Sequence, residues 1–254
     1  MKPIKILSLM AALAAFTLVL TSFTYHNKSK PDIAEKGFAV IELFTSEGCS
    51  SCPSADAVVA KIENESTDLP VYILAFHVDY WNRLGWKDVF SSPAYSQRQN
   101  QYAQWLNLSS VYTPQIVVNG RTEFVGSEEG TLRNAIKTNL AKNTLTQISL
   151  HNVKIDQNKA ELQYQATGKT NNSILLLAIV QKWAQTKVER GENSGRILSH
   201  VQIVREIESV PLKADKGWIS IDLPKGFETN GSEMIAFVQN TATGEITGAT
   251  KTAF

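Results

Sequence analysis

The 254-residue chain holds two cysteines and four histidines. That scarcity excludes a small domain stapled by several widely spaced disulfides. It also leaves little for a structural zinc site, which takes four ligands. Charge is thin and balanced: Asp, Glu, Lys and Arg make up 19% of residues and the formal net charge is +1. No basic stripe invites nucleic acid, and there is no acidic tail. No uncharged apolar run reaches the ~20 residues of a full membrane span. The phosphate-binding Gly-Lys-Ser/Thr loop, the Gly-x-Ser-x-Gly elbow and the His-Glu-x-x-His zinc motif are all missing, as are internal repeats.

The two cysteines sit together, in Gly48-Cys49-Ser50-Ser51-Cys52-Pro53. A bridge between them closes so short a loop that the chain-entropy model credits it with about 2 kcal/mol, against about 4.7 kcal/mol for a long loop. The pair is a poor staple, which favours redox chemistry. Its setting agrees: an apolar strand-like run, 38–44, leads in, and a helix-like run from Ser54 to Glu63 leads out. Cys49 is expected as the exposed, attacking thiolate, favoured by unpaired N–H groups at the helix start. Cys52, further into the helix, resolves the mixed disulfide. An inert disulfide is the structural alternative.

The remaining chain reads in order. Lys2 and Lys5, then the uncharged apolar stretch 6–20 and small residues near Ser22, read as an export signal over 1–24, with a polar linker over 25–36. The mature chain is then extracytoplasmic, periplasmic or secreted, with no stable membrane insertion once the signal is cleaved; an uncleaved anchor is the alternative. Runs 38–44 and 71–76 flank the helix and form a β-α-β unit, whose two parallel strands end at one edge of a sheet. An aromatic loop, 80–91, carries Trp81 and Trp86. Ser92-Pro93 opens a helix reaching Leu106. Thr113-Pro114 precedes an apolar strand, Asn119-Gly120 signals a hairpin, and Ser127 is a candidate cap for a last helix over 131–142. From about Thr146 the texture becomes short β-like runs: 159–167, 173–183, 200–210, 218–223, 233–239 and 246–250. They predict an all-β sandwich over 144–254 after an α/β domain over 37–143.

The ordered set over 38–142 resembles the thioredoxin superfamily: buried strand, Cys-x-x-Cys at a helix start, parallel strand, helix, Thr113-Pro114, hairpin and final helix. The resemblance implies that Pro114 is a cis-proline lying against the cysteine pair, with Thr113 before it at the substrate edge. Glu42-Leu43-Phe44-Thr45-Ser46-Glu47-Gly48-Cys49, Phe76-His77-Val78-Asp79-Tyr80-Trp81 and Arg190-Gly191-Glu192-Asn193-Ser194-Gly195-Arg196 are similar to an uncharacterised family of secreted bacterial thioredoxin-fold proteins with a second, β domain. Thioredoxin carries an acid beneath its second cysteine. Glu42 resembles that acid, although its gap to the first cysteine is one residue longer, and it is either a proton shuttle or one half of an ion pair. His77 and Asp79 end the second parallel strand, where they tune the thiolate, touch substrate or hold the aromatic loop. Trp81 and Trp86 form a substrate lip or pack under that loop. Arg98 reads as a solvated or paired surface charge, and 191–196 as a turn or a binding loop.

The leading function is an exported thiol-disulfide oxidoreductase. It needs no cofactor beyond a redox-active Cys49–Cys52 disulfide, and its partners are protein thiols or disulfides or an upstream redox protein. The alternative is a non-catalytic binding module. A copper site on Cys49, Cys52 and His77 is the rival chemistry.

Overall fold

The computed structural model describes residues 37–254; the signal and linker expected over 1–36 lie outside them. The first part follows the order β1 (Ala39–Thr45), α1 (Cys52–Glu65), β2 (Val71–His77), α2 (Pro93–Trp105), β3 (Gln115–Val118), β4 (Thr122–Val125) and α3 (Glu129–Leu140). β1 and β2 are parallel, with Thr45 opposite His77 at their shared end. β3 lies antiparallel on the other side of β1, and β4 folds back on β3. The hairpin turn has Asn119 and Gly120 at φ 48° and 66°, the left-handed conformations that Asn-Gly tolerates. Ser92 caps α2 by accepting from the Ala94 N–H, with Pro93 as the first helical residue. α3 starts at Glu129 behind Glu128, so Ser127 is not its cap.

Seven further strands follow: β5 (Thr146–Asp156), β6 (Lys159–Gly168), β7 (Ser173–Lys187), β8 (Ile197–Pro211), β9 (Lys216–Asp222), β10 (Ser232–Asn240) and β11 (Ile246–Thr252). They do face each other in two layers, but not as a separate sandwich. Four of them continue the first sheet. The order is β11-β10-β7-β8-β2-β1-β3-β4 in one eight-stranded sheet, with β5-β6-β9 as a second, three-stranded sheet. β8 meets β2 through the parallel pair Ala75–Ile203.

This continuity explains the apolar run Ile174–Val180. β7 and β10 are buried on both faces. Leu175, Leu177, Ile179, Met234, Ala236 and Val238 meet Leu162 and Ile219 of the second sheet. Their neighbours Leu176, Ala178, Ile235 and Phe237 pack with Phe44, Phe76, Tyr95 and Tyr102 of the first part. The odd-numbered residues of β1, Ala39, Ile41 and Leu43, lie under α1 and α3 through Ala55, Val59, Ile62, Leu132 and Ile136. Each such aliphatic or aromatic side chain contributes about 1.5–3 kcal/mol by leaving water, and the core built on Phe44, Phe76 and Phe237 belongs to both parts of the chain at once.

Candidate redox site

β1 ends at Thr45 and the chain turns through Ser46 to Ser51 before α1 begins at Cys52. Cys49 and Cys52 are joined as a disulfide. The turn is tied internally: Cys49 N–H donates to the Ser46 carbonyl and Cys52 N–H to the Cys49 carbonyl, each at 3.2 Å. The Thr113–Pro114 bond is cis. Pro114 is buried, and its carbonyl accepts from Gly126 N–H at 2.9 Å. A Cβ on Gly126 would stand 3.0 Å from Ala55 Cβ and 3.1 Å from Pro114 Cβ, so α1 and the cis-proline close around that glycine.

Trp81 bridges the two sides of the site. Its indole N–H donates to Thr113 Oγ1 at 2.8 Å, and its Cβ lies 3.0 Å from where a Cβ on Gly48 would be. Trp86 turns inward, donating to Glu47 Oε2 at 2.7 Å. The aromatic loop is organised by buried Asp88. Its Oδ2 accepts from Glu47 N–H at 2.9 Å and is hydrogen-bonded to His77 Nδ1 at 2.7 Å, and its Oδ1 accepts from Phe90 N–H at 2.9 Å. Burial alone would raise the Asp88 pKa; the His77 charge, with the hydrogen bonds from His77, Glu47 and Phe90, holds it below the usual value. His77 thus braces the redox turn through Asp88. Asp79 accepts from Ser96 Oγ in the first turn of α2.

Cys49 is not exposed. Its accessibility is 1% and that of Cys52 is 0%, while Ser50 and Ser51 face solvent. The cover comes from far along the chain. Between β7 and β8, Asn193 donates its side-chain amide to the carbonyls of Glu47 and Cys49, both at 2.9 Å. Glu192 Oε2 accepts from Ser50 N–H at 2.9 Å, and hydrogen bonding from the Ser50 side chain, with that from its backbone, keeps the Glu192 pKa below the ordinary value. Arg196 Nη1 pins Asn193 Oδ1 at 2.8 Å. The stretch read as a turn or a binding loop is bound to the redox turn itself.

Glu42 lies on the wrong side of β1 to serve Cys52. Successive strand residues face opposite ways, and Leu43, not Glu42, points toward α1. The extra residue between Glu42 and Cys49 accounts for the flip. Both Glu42 oxygens are used: Arg98 Nε and Nη2 hold them as a two-pronged pair, the second contact at 2.9 Å, and Tyr102 Oη donates to Oε1. Arg98 is therefore buried, not a surface charge. Burial works against its charge, but Glu42 outweighs it and raises the Arg98 pKa. Gln239 of β10 completes the network, donating to Tyr102 Oη at 2.8 Å.

A different set of acids surrounds the cysteine helix. Asp56, one helical turn after Cys52 on the buried face of α1, accepts from Thr45 Oγ1 at 3.4 Å. His200 of β8 stands between two carboxylates, 3.6 Å from Glu47 Oε1 and 3.6 Å from Asp56 Oδ2, at ion-pair rather than hydrogen-bond distance. Its ring meets that of His77 edge-on at 4.8 Å. Burial would discharge His200; the Asp56 and Glu47 carboxylates outweigh it and push its pKa up to about 9. Sequence reading placed none of Glu47, Asp56, Asp88 and His200 at the site. One signal was present: His200 shares the strand parity of the buried Leu198, Gln202 and Val204. Among the described residues no group of three or more His, Cys, Asp or Glu is arranged to hold a metal ion, and a copper site on Cys49, Cys52 and His77 finds its sulfurs bonded to each other and His77 bonded to Asp88.

A family profile described as a protein of unknown function (DUF1223) matches residues 40–239. Thioredoxin of Methanocaldococcus jannaschii is 36% identical over 87 residues, which span 34% of this chain and 78% of that protein. In three dimensions, protein AGR_C_4864 from Agrobacterium tumefaciens matches with a TM-score of 0.64 and 25% identity, over 87% of this chain and 96% of that one. HBP35 of Porphyromonas gingivalis matches with a TM-score of 0.62 over 86% of this chain and 76% of that one, and at 17% identity the likeness is one of fold. The profile runs from β1 into β10, across the strands that the two parts of the sheet share, and the chain belongs to the DUF1223 family, with a first part related to thioredoxin.

Proposed function

We propose that the protein is an extracytoplasmic thiol-disulfide oxidoreductase acting on protein or small-molecule disulfides. One observation carries the reading: a Cys49–Cys52 disulfide at the start of α1, in the same site as a cis Thr113–Pro114 bond that Trp81 reaches through Thr113. Cys49 is the attacking sulfur and Cys52 the resolving one. Electrons pass between two thiols and a disulfide, so no further cofactor is required. Substrate thiols or disulfides, and an upstream redox protein that resets the pair, are the partners. The export-signal pattern over 1–24 supports the location, and among the described residues no helix is long and apolar enough to cross a membrane.

The burial of Cys49 under Glu192 and Asn193 favours a second reading, in which the pair is structural and the surface around Trp81 is a binding face. Turnover separates the two. Reduction of insulin and reoxidation of a reduced protein substrate are measured for the wild type and Cys49→Ser across a series of glutathione potentials. Exchange by the wild type that Cys49→Ser abolishes supports the enzyme. No exchange at any potential leaves the binding module. Fractionation of cells expressing the full chain tests the location.

A further inference from the structure

The disulfide-exchange reading leaves one group of buried charges unused. Glu47 and His200 are almost wholly buried and Asp56 nearly so. Burying ionisable groups is costly unless they are paired, and such clusters concentrate at sites of chemistry. Here the pairing is loose. Both nitrogens of His200 sit 3.6 Å from a carboxylate oxygen, and neither nitrogen, nor Glu47 Oε1, has a hydrogen-bond partner among the described residues. The three side chains come from three segments that meet at His200: Glu47 from the turn, two residues before Cys49, Asp56 from α1, one turn after Cys52, and His200 from β8. The thioredoxin-related part supplies only the two acids.

We propose that Asp56, positioned by His200, takes the proton from Cys52 when Cys52 resolves the mixed disulfide on Cys49. The proposal rests on the oxidoreductase reading. In the step, Cys52 Sγ–H passes its proton to the Asp56 carboxylate, and the resulting thiolate attacks Cys49 Sγ. The Cys49–Cys52 bond forms and the bond from Cys49 to the substrate sulfur breaks. The substrate thiolate leaves with that electron pair and takes a proton from water. The substrate disulfide is the oxidant, and the protein dithiol is oxidised. In the opposite direction the protonated Asp56 returns its proton to Cys52 as that sulfur leaves.

His200 has the geometry of a positioning residue. Its cationic ring lies between Asp56 and Glu47, so the two acids do not face each other as bare like charges. The other groups facing the cluster are His77 from β2, Asp88 from the aromatic loop, and Phe90 with Arg205 of β8 stacked over it at 5.4 Å. Trp86 donates to the other oxygen of Glu47, and of the two acids at His200 it is Asp56 that lies on the cysteine helix, one turn after Cys52 on its buried face. Glu42 is turned to the opposite face of β1 and held by Arg98.

The test uses the reduced full chain and a bis(nitrobenzoate) disulfide, whose released thiolate is coloured. Attack by Cys49 releases the first coloured thiolate in a phase that scales with reagent concentration. Resolution by Cys52 releases the second in a phase that does not. Asp56→Asn is expected to slow the second phase at neutral pH by about 10²-fold, the lower end for general acid–base catalysis, with the first phase unchanged. Asp56→Glu is expected to recover most of the rate. His200→Gln is expected to slow the second phase and shift its pH profile, a change that a purely structural histidine would not produce in one phase alone. A second phase that keeps its rate and profile in folded His200→Gln overturns the proposal, and so does one within twofold of wild type in folded Asp56→Asn. A wild type that releases no coloured thiolate in either phase overturns the oxidoreductase reading itself.

Discussion

Asn193 donates its side-chain amide to the carbonyl of Cys49 at 2.9 Å, across 144 residues of sequence. Its second hydrogen bond, to the carbonyl of Glu47, spans the turn that holds the first cysteine. The β7–β8 connection is therefore part of the redox site. Gly191 and Gly195 flank it with φ of 78° and 83°, left-handed conformations that glycine adopts without strain. Access to Cys49 is therefore expected to depend on how firmly this loop is seated.

Asn193→Ala is expected to expose Cys49. It removes two hydrogen bonds, each worth about 0.5–1.5 kcal/mol net, and so increases the population with the loop unseated by about tenfold or more. Alkylation of the reduced protein by iodoacetamide, followed by mass spectrometry, reads this directly, with Cys49 modified faster than in wild type by a similar factor. Glu192→Ala, which removes the exposed hydrogen bonding to Ser50, is expected to act in the same direction and more weakly. Unchanged alkylation in both variants would mean that the loop is not what screens Cys49.

His200 makes stability fall in mild alkali. Its folded pKa is raised from 6.5 to about 9, so the folded state binds a proton that the unfolded chain has lost. The stabilisation is complete below pH 6.5 and disappears as pH rises through about 9. The amount at stake is about 3 kcal/mol. Urea unfolding of the oxidised protein at a series of pH values is expected to show the midpoint dropping over this window, and His200→Gln is expected to flatten the drop. The oxidised form is the one to use, because its cysteines do not titrate.

Glu42 is expected to matter for folding and not for exchange. Glu42→Ala strands Arg98 in the core beneath Phe76 and Phe237, and breaking one side of a buried ion pair costs about 3–5 kcal/mol. Glu42→Gln keeps the shape and a hydrogen-bonding oxygen for Arg98, so its cost is expected to be smaller. Denaturant midpoints give the two losses. Insulin reduction per folded molecule is expected to stay at the wild-type rate in Glu42→Gln, and a large loss there would return Glu42 to the chemistry.

The sequence made the redox turn legible because its signals are local. Two cysteines on either side of Ser50-Ser51, a flanking apolar strand and Ser92-Pro93 each act within a few residues. Glu42 was harder, since one extra residue before Cys49 reverses which face of β1 it occupies, and both faces are buried. The site contributions of Asn193 and His200 were not legible, because both depend on β8 joining β2 across more than a hundred residues through one pair, Ala75–Ile203. The same pairing hid the shared sheet: a change from helical to β texture near Thr146 reads as a domain boundary, yet β7 and β10 carry the first part's core onward. β5 escaped because His151 and Asn152, the latter at positive φ, interrupt its alternation and shift its register on β6.

The shared core leads to a prediction about cooperativity. The β3–β4 turn seats against the turn before β11: Ile246 N–H donates to the Asn119 carbonyl at 3.0 Å, and a Cβ on Gly120 would lie 1.9 Å from the Gly244 carbonyl oxygen. Gly244 in turn packs closely on Trp105, where a Cβ would meet the ring at 2.5 Å. Gly120→Ala places a Cβ in this contact and an L side chain at φ 66°, which alone costs about 1–2 kcal/mol. If both parts unfold as one unit, the whole transition shifts together. Tryptophan fluorescence follows Trp81, Trp86 and Trp105 in the first part and Trp183 and Trp218 in the second, and far-ultraviolet circular dichroism follows both. Coincident curves that move together in Gly120→Ala are expected. Two separated transitions, with only one displaced by the substitution, would show that the parts fold independently and that the eight-stranded sheet does not make them a single cooperative structure.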